Sequence, residues 1–164
     1  MPANMDRLIV LLCEKERIME EMVQSLSEEQ NRIMEMNPAA VEASNRSKEE
    51  VTTRLTRATV LCRELMAVVG AERGVSGGTL TPLIAVASDS ERLDLLPLQQ
   101  RLLLLGGNLL RQQELNRKMI LRSLGLVRQS LSLFGGLFRF SDTYGAQGRL
   151  STGTTGLSFL SREI

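Results

Sequence analysis

The sequence predicts an all-α fold: an antiparallel helical hairpin joined to a long third helix, forming an elongated three-helix coiled-coil bundle with a flexible C-terminal tail. Three observations predict it. Apolar residues make up 43% of the 164 residues but aromatics only 3%, so the core must come from Leu, Met, Ile and Val, a mixture suited to helix-on-helix seams rather than sheets. Apolar residues recur at alternating steps of three and four along three long stretches. Breaks at Asn37-Pro38, Gly70–Gly78 and Gly135-Gly136 separate those stretches from one another and from the tail.

The first helix is expected from Asn4, as N-cap with Asp6 in the first turn, to Met36 (4–36). Its seam is Leu8, Leu12, Lys15, Met19, Met22, Leu26, Glu29, Ile33 and Met36. The two charged members, Lys15 and Glu29, are expected to snorkel at the edge of a shallow seam. Asn37 and Pro38 then suit an N-cap and a first helical turn. The second helix, 38–69, has the seam Val41, Ser44, Lys48, Val51, Leu55, Ala58, Cys62, Leu65 and Val69. Two seams of matching length with so short a joint fold back on each other as an αα-hairpin.

Residues 70–93 read as a glycine-rich linker and a short apolar helix, Leu80 to Ala87, covering a bundle end. Ser88 to Glu91 has capping-box spacing, but Pro97 follows it. The long helix therefore starts either at Ser88 with a kink or afresh near Asp94, and the second option needs less distortion. From 94 to 134 its seam is Leu95, Leu98, Leu102, Leu105, Leu109, Gln112, Asn116, Met119, Ser123, Leu126, Ser130 and Leu133. A helix of that length spans on the order of 60 Å, more than one face of a compact small domain, so its second half is expected at or beyond the edge of what the first half packs on. Gly106 and Gly107 lie inside it, where close approach of a neighbouring helix is the expected compensation.

A second stripe runs beside the first: Ile120, Leu124, Val127, Leu131, Phe134 and Phe138. Two adjacent seams give one helix more apolar surface than one partner covers. Either this end packs into its own three-helix core, or it docks a helix of another protein, or it self-associates. The bundle is placed at 1–138 and the tail at 139–164, where Ser, Thr and Gly make up about half of the residues, a composition expected to be disordered. In the tail Tyr144, the sole tyrosine, stands in Asp142-Thr143-Tyr144-Gly145-Ala146-Gln147-Gly148, an aromatic anchor that can enter a partner's pocket. A later apolar group, Leu157, Phe159 and Leu160, follows.

The composition also excludes function classes. Lys plus Arg number 20 and Asp plus Glu 19, a balance that gives no field for steering toward nucleic acid. Without histidine, and with two cysteines in helix-forming segments, the usual zinc ligand sets and general base are missing, so neither cofactor nor metal nor catalysis is expected. Both thiols read as buried and reduced, which fits the cytoplasm. No signal h-region and no membrane-length apolar run are present.

Asn116-Arg117-Lys118-Met119-Ile120-Leu121-Arg122-Ser123-Leu124 and Tyr144-Gly145-Ala146-Gln147-Gly148 together resemble the FlgN family of flagellar type III export chaperones. The first block is similar to the family's Asn, Leu/Ile pair and Ser-Leu helix, and the second to its Tyr-Gly-x-x-Gly tail motif. Lys48 followed by Val51 and Leu55 is similar to the family's second helix. The resemblance implies a cytoplasmic chaperone that binds the C-terminal helices of the hook-filament junction proteins FlgK and FlgL. It would keep them from assembling early and deliver them to the export gate protein FlhA. Client contacts are then expected at Asn116, Ile120, Leu124, Val127, Leu131, Phe134 and Phe138, with gate docking at Tyr144, Gly145 and Gly148. The chain is expected as a monomer or weak homodimer. The competing reading is a self-associating coiled-coil structural or adaptor protein, against which the polar seam residues Gln112, Asn116, Ser123 and Ser130 argue.

Overall fold

The computed structural model describes residues 2–141, with side chains over 3–136. Four helices follow one another: α1 (Pro2–Met34), α2 (Pro38–Arg73), α3 (Leu80–Ala85) and α4 (Asp89–Ser141). The chain divides into two units, Met1–Leu121 and Arg122–Ile164, and the following paragraphs concern the first. α4 runs past the expected end at 134 and takes in residues 139–141 of the expected tail; the rest of that tail, with Tyr144, Gly145 and Gly148, lies outside the described residues, as does the side chain of Phe138.

α1 begins at Pro2, two residues ahead of the expected cap. Asn4 is inside the helix and donates its side-chain amide to Glu72 of α2, so it ties the two helices together instead of capping one. At the other end Met36 takes φ 52° and turns the chain. Asn37 then caps α2, its side chain accepting from the Ala40 N–H at 3.2 Å, with Pro38 in the first turn as the sequence requires. α2 runs to Arg73, past the expected end at Val69. There Gly74, at φ 68°, lets the Val75 N–H reach the Gly70 carbonyl at 2.9 Å, the left-handed close that favours glycine. The chain then folds back so tightly that a Cβ on Gly77 would overlap the Met66 carbonyl.

Two clusters form the core. Met5, Leu8, Leu12, Cys62, Val69, Leu83, Ile84, Ala87, Leu95 and Leu98 close one end of the hairpin, with α3 and the start of α4 packed onto it. Ile18, Met19, Met22, Leu26, Val51, Ala58 and Leu109 form the other, and Leu102 packs against both. On α1 the expected seam is buried except for half-buried Lys15 and for Met36, which is 61% exposed in the turn; on α2 Ser44, Val51, Ala58, Cys62 and Val69 are buried while Val41, Lys48, Leu55 and Leu65 are half-buried. Cys62 is buried, and its burial pushes the thiol up. Cys13 is exposed, contrary to expectation: it falls one position after Leu12, off the seam.

α4 starts at Asp89, not near Asp94. The capping box closes as drawn by the sequence: Ser88 Oγ accepts from the Glu91 N–H at 3.3 Å and the Glu91 carboxylate accepts from the Ser88 N–H at 2.8 Å. Pro97 lies inside the helix, on its exposed side, and Leu93, whose carbonyl loses its donor there, is also exposed and can turn to water. Early capping therefore outweighs the cost of the proline. Gly106 and Gly107 are not sites of close approach either, since a Cβ on Gly106 would meet only Met19 at 3.9 Å and one on Gly107 nothing.

The same box is locked to α2. Arg73 donates to both Glu91 oxygens, at 2.9 and 2.6 Å. The Arg73 guanidinium and, less strongly, the Ser88 donors hold the Glu91 carboxyl down to about 2. Because the folded value is depressed, the stabilisation is complete above the ordinary carboxylate range and is lost as pH falls through about 2. Glu91→Gln is expected to cost about 1–2 kcal/mol at pH 7. Urea titrations should show the gap between wild type and variant shrinking as the pH is lowered from 4.5 toward 2.

Candidate functional site

Near the turn of the hairpin the first unit buries a polar cluster. Glu29 on α1 and Asn116 on α4 are 1% and 2% exposed. Lys48 of α2 donates to one Glu29 oxygen at 2.6 Å, and the Asn116 amide nitrogen donates to the other at 2.9 Å and to the Leu26 carbonyl at 2.8 Å. Beside them Arg32 donates to Ser44 Oγ and to the Ala40 carbonyl. Three helices thus meet through charge-assisted hydrogen bonds, which fix their register because any slip leaves Glu29 unpaired. Lys15 is half-buried, as a snorkelling side chain should be, but Glu29 is not at the seam's edge. It stays buried because its two oxygens both find donors.

The two nitrogen partners are acceptors, which fixes the amide orientation of Asn116 and turns its Oδ1 away from them. No donor among the described residues reaches that oxygen, nor the buried Oε1 of Gln112 one turn earlier. Each such orphan costs about 1–3 kcal/mol. Asn116 also lines a cleft of about 320 Å³, together with Leu26, Glu29, Lys48, Gln113, Arg117, Ile120 and Leu121. Ile120 is half-buried there and Leu121 is 55% exposed.

The second unit, as far as it is described, is the remainder of α4 (122–141). Leu124, Val127, Leu131 and Phe134 are 50, 47, 58 and 58% exposed, and so is the continuation of the expected seam, Leu126, Ser130 and Leu133. A repeat specifies a face, and the face is buried only where a partner strip exists. The hairpin's strip ends at Ile33 and Ser44.

Among known families, the model described as FlgN protein matches residues 1–152. The chain belongs to the FlgN family. Membership carries with it a chaperone role in flagellar assembly, and an all-helical scaffold without a strand among its described residues is the fold through which this FlgN-family chain performs it. No curated protein and no solved structure matches. No described helix is long and apolar enough to cross a membrane.

The expected site residues are therefore distributed as follows. Asn116 is a buried bridge whose nitrogen serves the fold and whose oxygen has no donor among the described residues; Ile120 edges the cleft; Leu124, Val127, Leu131 and Phe134 are open to solvent. Glu29 and Lys48, which the sequence reading set aside, belong to the cleft. Their signal was present: counted outward from the turn, they occupy the same layer of the two seams, opposite charges facing each other.

Proposed function

We propose that this FlgN-family chain is a cytoplasmic, non-enzymatic export chaperone for the hook-filament junction proteins FlgK and FlgL. Its client docks as an amphipathic C-terminal helix on the apolar stripe Ile120, Leu124, Val127, Leu131, Phe134 and Phe138 of α4. The observation that carries the reading is the exposure of four of those side chains in one periodic row, on a chain of the family whose members chaperone flagellar exports. Apolar burial at about 25 cal/mol per Å² drives such a contact and needs neither cofactor nor nucleotide.

Covering the stripe keeps the client helix from pairing with other copies. Release requires a separate contact, which falls to the tail: Tyr144, with Gly145 and Gly148, docks on the cytoplasmic domain of the gate protein FlhA. Tyr144→Ala is expected to leave client affinity unchanged and to weaken gate docking about tenfold or more, the value of a buried aromatic anchor. Calorimetric titration of the full chain with the C-terminal segment of FlgK, and then of the complex with the FlhA domain, checks both. Loss of client binding in the variant would overturn the division of labour between helix and tail.

Self-association has its own support in the exposed leucines early in α4, Leu93, Leu103, Leu104 and Leu110. Sedimentation separates the readings: a monomer across concentrations that gains mass only with client removes the coiled-coil alternative.

A further inference from the structure

We infer that the cleft around Asn116 is a polar specificity subsite that takes a carboxamide, the side chain of a Gln or Asn carried on the apolar-flanked helix of a client. The inference rests on the chaperone reading above and deepens it. Asn116, which lines the cleft, carries an amide oxygen, Oδ1, that is buried and has no donor among the described residues. The wall of the cleft holds Lys48, whose ammonium spends one hydrogen on Glu29 and whose side chain is 29% exposed, and its rim holds the exposed guanidinium of Arg117, paired with Glu114 at 3.7 Å. The cleft thus sets an acceptor without a donor beside an ammonium with hydrogens to spare.

The chemistry of each possible guest decides between them. A carboxylate would meet Lys48 and Arg117 favourably but would bring a second negative charge to Glu29 and leave the Asn116 oxygen without a donor. An ammonium or guanidinium would satisfy that oxygen but face two cations. A hydroxyl presents its donor and its acceptors from a single atom, whereas the two cleft groups stand on different helices, Lys48 on α2 and Asn116 on α4. A carboxamide offers both functions at once: its N–H to Asn116 Oδ1 and its oxygen to Lys48 Nζ. Its methylene stem lies against Ile120 and Leu121, the apolar lip. The side chains of Gln113 and Arg117, exposed at the cleft, can re-orient around it at the small cost of surface rotamers. Such a contact adds selectivity to a stripe that would otherwise accept any apolar helix, because a polar group built to be met rejects the guest that lacks its partner.

The test is a substitution scan of the client. The full chain is titrated with the C-terminal segment of a junction protein and with versions in which each Gln or Asn is replaced in turn by Met or Leu. One replacement is expected to weaken binding about tenfold or more, the consequence of stranding a buried acceptor. The same replacement should make no difference to binding by the Asn116→Leu chain, provided thermal melting shows that chain folded. If Asn116→Leu does not fold, the scan against the wild-type chain still decides. Binding of the unmodified segment with every carboxamide replacement within about twofold overturns the subsite while leaving the chaperone reading in place. So does a loss that maps to a charged or hydroxyl residue instead. Failure of the unmodified segment to bind overturns both.

Discussion

Leu124→Gln together with Leu131→Gln is expected to weaken binding of the FlgK C-terminal segment by about 10- to 100-fold, since burying an exposed leucine contributes about 1.5–3 kcal/mol and each of these two, half-exposed in the free chain, gains about half of that against a client. Gln matches Leu in helix propensity, so α4 keeps its local preference. Both leucines are 50% or more exposed in the free chain, and the thermal midpoint should therefore stay within the small range of surface substitutions. Calorimetry and a melting curve on the same preparation measure the two quantities. Unchanged affinity would move the client to another face; lowered stability would mean that the leucines are packed in the free chain.

The buried cluster makes the second large prediction. Lys48→Met strands the Glu29 carboxylate, 1% exposed, with only the Asn116 amide to meet its charge. Breaking a buried pair costs about 3–5 kcal/mol, and the partial exposure of Lys48 reduces that to about 2–3. For a chain of this length the midpoint should fall by about 5–10 °C. The contrast is the triple change Glu29→Leu, Lys48→Met and Asn116→Leu, which removes the Glu29–Lys48–Asn116 network, keeps Arg32 on Ser44 and Ala40, and leaves the Leu26 carbonyl to its own helix ladder. It should lie within about 1 kcal/mol of wild type, because an apolar layer of similar volume replaces desolvated charge without orphans. If the triple variant is as unstable as Lys48→Met, the loss comes from packing rather than from unpaired charge. Urea denaturation of the wild type and both variants separates these.

The hairpin was legible because its signal is redundant. Leu8, Leu12, Met19, Met22, Leu26 and Ile33 repeat on one helix what Val51, Ala58, Cys62 and Val69 repeat on the other, and Asn37-Pro38 fixes where they turn. The start of α4 was less so. Pro97 argues against continuation, Ser88 and Glu91 argue for it, and only the bidentate contact from Arg73, distant in sequence, tips the balance. Glu29 shows a different limit. A charged residue in a seam reads as marginal when taken alone, and its burial follows only once Lys48 and Asn116 are known to reach it. Gly106 and Gly107 show the converse: glycines inside a helix suggest close approach, and here neither has a neighbour that demands it. The stripe on the later part of α4 was visible in the period, but period specifies a face and not what covers it.

The most direct measurement places a photo-crosslinking side chain at Val127, on the stripe, and in a control chain at Arg57, an exposed residue of α2. Each is irradiated with the FlgK C-terminal segment. Capture at 127, absent at 57, and suppressed by excess unlabelled segment is the result expected of a client helix seated on α4. Capture at 57 with none at 127 would contradict it and put the client on the hairpin.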